Sequence, residues 1–156
     1  MKIIKDTDVN SILIKRIRQI MLTETDNIKK LIGINSSNIV SEIPIKYRDF
    51  HIWIYINDDD PVGFVTFAER EESVIIIRAL YVTSEHRNQG LGTKIMNDVI
   101  ELYPKIECRV NNDNFPMYSL LRSLDFRGEK SVVSFLKPRD SKPIWWSNYK
   151  TSDSYL

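Results

Sequence analysis

The sequence holds one cysteine, Cys108, among its 156 residues. An internal disulfide is therefore excluded, and a lone thiol fits a reducing compartment. A charge excess is also lacking: 22 Lys plus Arg stand against 21 Asp plus Glu. No bulk electrostatic pull toward nucleic acid, a membrane surface or an acidic partner follows from that balance. No run approaches the roughly 20 apolar residues that cross a bilayer. Met1 to Lys5 is basic and apolar, but Asp6 and Asp8 follow at once, and no apolar stretch of signal-peptide length appears. The expectation is a cytoplasmic protein without a membrane partner. No His/Cys/Asp/Glu spacing suggests a metal, and none is expected. Repeats and low-complexity segments are missing as well. What is present is an ordinary apolar share of 42%. A chain of this length buries roughly 70% of its unfolded surface, enough for one core.

Met1 to Lys5 alternates weakly and reads as a short strand. Thr7 or Asp8 can cap a helix to about Leu22, with Ile12, Ile17, Ile20 and Met21 in its apolar part. Thr23 to Asp26 restarts a shorter helix through Ile32, which Gly33 ends. Residues 34–49 read as loop. The period then changes to two. Phe50 to Ile56 and Val62 to Glu69 form a hairpin about the turn at Asn57 to Pro61. After a turn at Glu71 to Ser73, Val74 to Val82 is a nearly unbroken apolar strand, which suggests cover on both faces. Gly90 to Tyr103 is a helix with Leu91, Ile95, Val99 and Leu102 as its stripe. Lys105 to Val110 is a strand. Asn114 to Leu124 is a helix with Pro116 in its first turn and Met117, Leu120, Leu121 and Leu124 inward. Val132 to Leu136 reads as the last strand. This order predicts an α/β (α+β) fold with a mixed, mainly antiparallel sheet and helices on both faces. Residues 1–137 make the domain, and 138–156 form a tail. The Trp145–Trp146 pair in that tail can pack on the sheet, cover a cleft, or pair between subunits of a homodimer. Packing on the same domain is the favoured reading, because such apolar area is unusual left bare.

The chemistry concentrates in Leu80 to Thr93. A buried strand ends, a short polar loop turns, and a helix begins between two glycines. The first N–H groups of a helix have no internal partner and, with the helix dipole, form an anion site. Gly90 and Gly92 let a bulky anion approach the backbone, and Arg87 adds a permanent cation. A pyrophosphate is the natural occupant. The three-glycine dinucleotide fingerprint and the Gly-Lys-Ser/Thr order of a P-loop are both absent.

Leu80-x-Val82 followed by Arg87-x-x-Gly90-x-Gly92 resembles the acetyl-CoA signature of the GNAT family of N-acetyltransferases. The order of elements is similar from Met1 to about Lys137. The resemblance implies an acyl-CoA N-acyltransferase-like fold. It implies acetyl-CoA as co-substrate, and an amine of a small molecule or protein as acceptor. The coenzyme would be held by Leu80, Val82, Arg87, Asn88, Gln89, Gly90, Leu91, Gly92, Thr93 and Asn114. It also implies a splay beside the strand Val74–Val82, with Val82 offering a backbone contact. Asn114 and Phe126 match the family's second feature at the expected spacing, while Asp125 stands where a glycine is usual. Leu121 occupies the place of the tyrosine that commonly protonates the leaving thiolate. Tyr118, about 60° round the same helix, is the alternative acid.

Ile76 stands where some members carry a glutamate base, and no general base is evident. Arg78 is expected at the sheet surface, in a salt bridge with Glu69 or Glu107, or else on an anionic group of the acceptor. His86 reads as a loop residue, His51 as structural, and Cys108 as a small buried hydrophobe. Lys15, Arg16 and Arg18 give the first helix a solvated basic face. Two further readings stay open: a catalytically silent relative that binds a partner, and a nucleic-acid-modifying enzyme on the same fold, against which the neutral charge argues.

Overall fold

β-Branched and aromatic residues dominate the centre of the chain, and there the backbone is strand. A computed structural model describes residues 1–32, 51–70, 73–111, 114–130 and 143–149. The elements are β1 (Lys2–Lys5), α1 (Ser11–Ile32), β2 (His51–Asn57), β3 (Asp60–Glu69), β4 (Val74–Val82), α2 (Leu91–Leu102), β5 (Lys105–Asn111), α3 (Phe115–Ser123), β6 (Arg127–Lys130) and β7 (Pro143–Ser147). The strands form one sheet in the order β1-β2-β3-β4-β5-β7-β6. β4 and β5 pair in parallel, while β1/β2, β2/β3, β5/β7 and β6/β7 are antiparallel. The sheet is thus mixed and mainly antiparallel, as the sequence pattern requires. The chain forms two compact units, one of residues 1–68 with 78–95 and one of residues 69–77 with the described residues from Met96 onward.

In the first unit, Ile52 to Ile56 are buried without a break, so both faces of β2 are covered. Leu13, Ile14, Ile17 and Met21 of α1 pack with Ile52, Ile54, Ile56 and Phe64 on one face. Side chains of this kind each stabilise by about 1.5–3 kcal/mol when fully buried. Ile12, expected in that stripe, is 68% exposed; Leu13 and Ile14 take the inward positions. The expected cap also moves. Asp6–Asp8 is a 3-10 turn, and Asn10 Oδ1 accepts from the N–H of Leu13 at 2.8 Å. Nor does the helix break at Thr23, whose hydroxyl bonds back to the carbonyl of Gln19 at 2.9 Å and leaves the helix continuous to Ile32. At the β2–β3 turn Asp58 and Asp59 have φ of 47° and 65°, the left-handed pair of a two-residue hairpin. Pro61 lies buried within β3. Arg16 donates to the Asp59 carbonyl and to Asp60 Oδ1, which ties α1 to that turn. His51 is structural: its ring stacks on Phe67 and its Nδ1 faces Asp6 Oδ2 at 3.1 Å.

The opposite face of the same hairpin receives the start of α2 at Gly63. A Cβ built there would lie 2.8 Å from the carbonyl oxygen of Tyr81 and 3.3–3.5 Å from Ile95 and Leu91. The missing side chain lets the end of β4 and the first turns of α2 sit directly on β3.

In the second unit, Val74–Ile77 of β4 pair with Lys105–Cys108 of β5. Ile106, Cys108 and Val110 are buried, as are Met96 and Val99 of α2. Leu102, expected in the helix stripe, is 58% exposed, since the last turn of α2 runs out to the surface. Pro143–Ser147, which reads as polar tail in the sequence, is a strand between β5 and β6. Trp146 is buried there, and a Cβ at its partner Gly128 would fall 2.7 Å from the indole. Asn148 extends the contact, accepting from the N–H of Ile106 and donating to the carbonyl of Pro104. The readings for residues 34–49 and for the strand Val132–Leu136 lie outside the described residues.

Replacing Gly63 by alanine should destabilise the fold, because the neighbour it meets at 2.8 Å is backbone and cannot rotate away. Overpacking of this kind costs about 1–3 kcal/mol, or several degrees of melting temperature in a chain of this size. Thermal unfolding followed by circular dichroism checks it; an unchanged melting temperature contradicts the packing described.

Candidate functional site

The loop from Val82 to Leu91 is built by its own polar groups. The N–H of Thr83 bonds the carbonyl of Val62 at 2.9 Å, which anchors the strand end to β3. Ser84–His86 is a 3-10 turn. The Thr83 hydroxyl lies 2.9 Å from His86 Nδ1, so the imidazole braces that turn. Arg87 Nε donates to the carbonyl of Val82 at 2.8 Å, and the guanidinium lies over the Tyr81 ring. Gln89 donates to the carbonyl of Glu85. Asn88 and Gly90 take φ of 60° and 82°. Asparagine tolerates that region and glycine occupies it without penalty.

Helix α2 then begins. Its first turn closes with the N–H of Lys94 on the carbonyl of Gly90 at 3.0 Å. The N–H groups of Leu91, Gly92 and Thr93 precede that bond and have no partner within the helix. Leu91 is buried and holds the helix start, whereas Asn88, Gln89 and Gly90 are exposed. A Cβ on Gly90 would meet nothing within 4 Å, so the approach to these amides is open. A helix start with open backbone donors at the positive end of its dipole is able to take an anion. Gly90 has a second reason for its identity in its positive φ. Valine there would be strained as well as obstructive, so it cannot serve as a clean steric block.

From the sequence, Arg87 is expected to place a cation at the mouth of the site. The structure directs its guanidinium to the Val82 carbonyl and to a carboxylate on α1, with Nη2 3.5 Å from Glu24 Oε2. Glu24 was missed. Its Oε1 accepts from both the N–H and the hydroxyl of Ser84, at 2.7 and 2.9 Å. In the sequence Glu24 stands at the start of the expected second helix, and nothing in its spacing relates it to a loop sixty residues on.

In the second unit, Asn114 Oδ1 caps α3 by accepting from the N–H of Met117 at 3.3 Å. Asp125 has φ of 63°, so the aspartate fills a left-handed position of the kind glycine commonly takes at a helix end. Phe126 is buried behind it, its N–H on the carbonyl of Leu121. Leu121 is fully buried, whereas Tyr118 is half-buried with its ring 5.2 Å from that of Trp146 and 6.2 Å from Phe115. The Tyr118 hydroxyl oxygen is shielded from solvent. On β5, Glu107 is 7% exposed and receives both Arg70 nitrogens at 2.9 Å and the Tyr149 hydroxyl. Cys108 is buried, and burial with the neighbouring Glu107 charge pushes its thiol up from 9.0 to about 12, which makes it a poor nucleophile. Among the described residues no group of three or more His, Cys, Asp and Glu is placed to hold a metal.

A profile of the acetyltransferase (GNAT) family matches residues 18–126. The chain belongs to that family. Peptidyl-lysine N-acetyltransferase YjaB of Salmonella typhimurium is 26% identical over 90 residues, which are 56% of this chain and 59% of that protein. The match thus spans about three-fifths of this curated relative. The structure of a GNAT family acetyltransferase from Staphylococcus aureus Mu50 superposes with a TM-score of 0.66 at 18% identity, over 94% of this chain and 98% of that one. The PaiA N-acetyltransferase of Thermoplasma acidophilum, solved with coenzyme A, gives 0.69 at 13% identity, over 96% and 100%. These likenesses show the GNAT fold. No described helix is long and apolar enough to cross a membrane.

The tie between Tyr149 and Glu107 carries a pH dependence. Burial, then the hydrogen bond to Glu107, raise the Tyr149 phenol from 10.0 to about 12. A raised acid stabilises the fold fully below its unfolded value and loses that contribution as pH climbs through the folded value. Stability should therefore fall between about pH 10 and 12, with Cys108 starting its own decline near pH 9. Urea unfolding against pH should show Tyr149→Phe lacking the tyrosine part of this loss; an unaltered alkaline limb contradicts it.

Proposed function

We propose that this GNAT chain transfers the acetyl group of acetyl-coenzyme A to an amine of a small-molecule or protein acceptor, by direct attack in a ternary complex. The observation that carries the reading is the start of α2: the N–H groups of Leu91, Gly92 and Thr93 ahead of the first helical bond, reached across the bare Cα of Gly90. In this reading Arg87 to Thr93 hold the pyrophosphate, and Leu80, Val82 and Asn114 contact the rest of the coenzyme. The amine attacks as the free base. Its nitrogen bonds to the thioester carbonyl carbon, the carbon–sulfur bond breaks, and the nitrogen's surplus proton passes to water. The sulfur departs as thiolate or takes a proton from Tyr118. A thiol of pKa about 8.5 leaves tolerably without help, so the acid is worth less here than for an alkoxide. Holding both reactants together supplies much of the acceleration. The relatives that support an amine acceptor include the peptidyl-lysine enzyme above and an aminoglycoside 6'-N-acetyltransferase of the same fold, solved with coenzyme A. The lone buried Cys108 suits the reducing cytoplasm as its place of action.

Acetyl-CoA should raise the melting temperature by mass action on the folded state. Arg87→Ala should weaken that shift, since one bond to a charged group is worth about 1.5–3 kcal/mol. Arg87→Lys should weaken it nearly as much, because lysine keeps the charge but cannot bridge Val82 and Glu24. The activity is tested by thiol release from acetyl-CoA against a panel of amines and peptides. In that assay Tyr118→Phe should lower kcat by about tenfold or more with coenzyme binding little changed. A wild-type protein with neither a thermal shift at millimolar acetyl-CoA nor amine-dependent thiol release refutes the proposal.

A further inference from the structure

Glu24 lies on α1, sixty residues before the loop it touches, and the described loop residues lean on it. Both donors of Ser84, the N–H and the hydroxyl, go to one carboxylate oxygen. The other oxygen is buried, makes no hydrogen bond among the described residues, and faces Arg87 Nη2 at 3.5 Å. The Glu24 side chain is only 15% exposed. A buried carboxylate is costly unless paired and hydrogen-bonded, and here its partners among the described residues belong to the loop between β4 and α2. Ser84 opens the 3-10 turn; Arg87 closes it and bonds back to Val82. Between them the carboxylate sets both ends of the turn that delivers the chain to Asn88 and Gly90, the two left-handed residues before the amides of α2.

We propose that Glu24 is a positioning residue for the coenzyme: it holds the Ser84–Arg87 turn in the conformation that presents the first amides of α2 to the pyrophosphate. The inference rests on the coenzyme reading given above and adds to it a residue outside the signature loop. Its physical content is preorganisation. A loop already tied down loses less freedom when the anion binds, so removing the tie weakens binding without touching a phosphate contact. Because Glu24 carries negative charge, its removal would strengthen binding if simple repulsion of the anion were its main effect. The two accounts therefore predict opposite signs.

The experiment titrates coenzyme A and acetyl-CoA into the wild-type chain and into Glu24→Ala, Glu24→Gln and the Glu24→Ala/Arg87→Ala pair, well below each melting temperature. Glu24→Ala should raise the Kd and the KM for acetyl-CoA by about tenfold, with kcat at saturating coenzyme nearly unchanged. Glu24→Gln, which keeps an acceptor for Ser84, should recover part of the loss. The double variant should bind about as weakly as Arg87→Ala alone, because the two act through one turn. Hydrogen exchange in the free protein supplies a second reading: the Ser84 amide should exchange slowly in the wild type and rapidly in Glu24→Ala. Wild-type affinity in Glu24→Ala, or tighter binding, overturns the positioning role while leaving the coenzyme site standing. A wild-type chain that binds neither coenzyme overturns both.

Discussion

Helix α2 opens with amide N–H groups that the helix cannot bond to itself, and the loop before it is arranged around them. Left to water they cost little; presented in a fixed array at the positive end of a dipole they form an anion site. The array is fixed by neighbours on the sheet side and in the preceding loop. Leu91 and Ile95 seat the helix against Gly63, Thr83 is tied to Val62, and Arg87 bonds back to Val82. The open side lies over Gly90, where a side chain would meet only solvent.

That arrangement explains why glycines far apart in sequence belong to one device. Gly63 lacks a side chain so that the helix and the end of β4 can sit on the sheet. Gly90 lacks one because its backbone is left-handed. The apolar stripe of α1 serves the same end indirectly. By packing on Ile52, Ile54 and Phe64 it brings its C-terminal half to the loop, where Glu24 meets Ser84 and Arg87. The second unit has its own fastening, in which Arg70 and Tyr149 close on Glu107 and Asn148 prolongs the contact between β7 and β5.

Much of this was legible in the sequence. The limits of β4 and the start of α2 follow from an apolar run, a polar loop and two glycines. The hairpin follows from alternation about an acidic turn. What escaped was long-range or polar. Strand β6 reads Arg127-Gly128-Glu129-Lys130, which no hydrophobic pattern marks, and it is a strand because β7 pairs with it. β7 itself lies in a stretch whose polar neighbours concealed the inward Trp146. A continuous α1 was read as two helices because Thr23 favours caps when its hydroxyl has no carbonyl behind it; here Gln19 supplies one. At Asp125, where the sequence lacks a glycine, the backbone is nevertheless left-handed. For Arg87 the residue is legible in the sequence, whereas its partners, the Val82 carbonyl and Glu24, appear only in the structure.

The most direct measurement of the central claim is backbone amide mapping by NMR as coenzyme A is added to the isotopically labelled chain. The account predicts the largest saturable shifts at the amides of Asn88, Gln89, Gly90, Leu91, Gly92 and Thr93, with those of Asp58 and Asp59 in the β2–β3 turn little changed. Shifts of equal size spread over the surface, or a site centred elsewhere with the α2 amides unmoved, would contradict it.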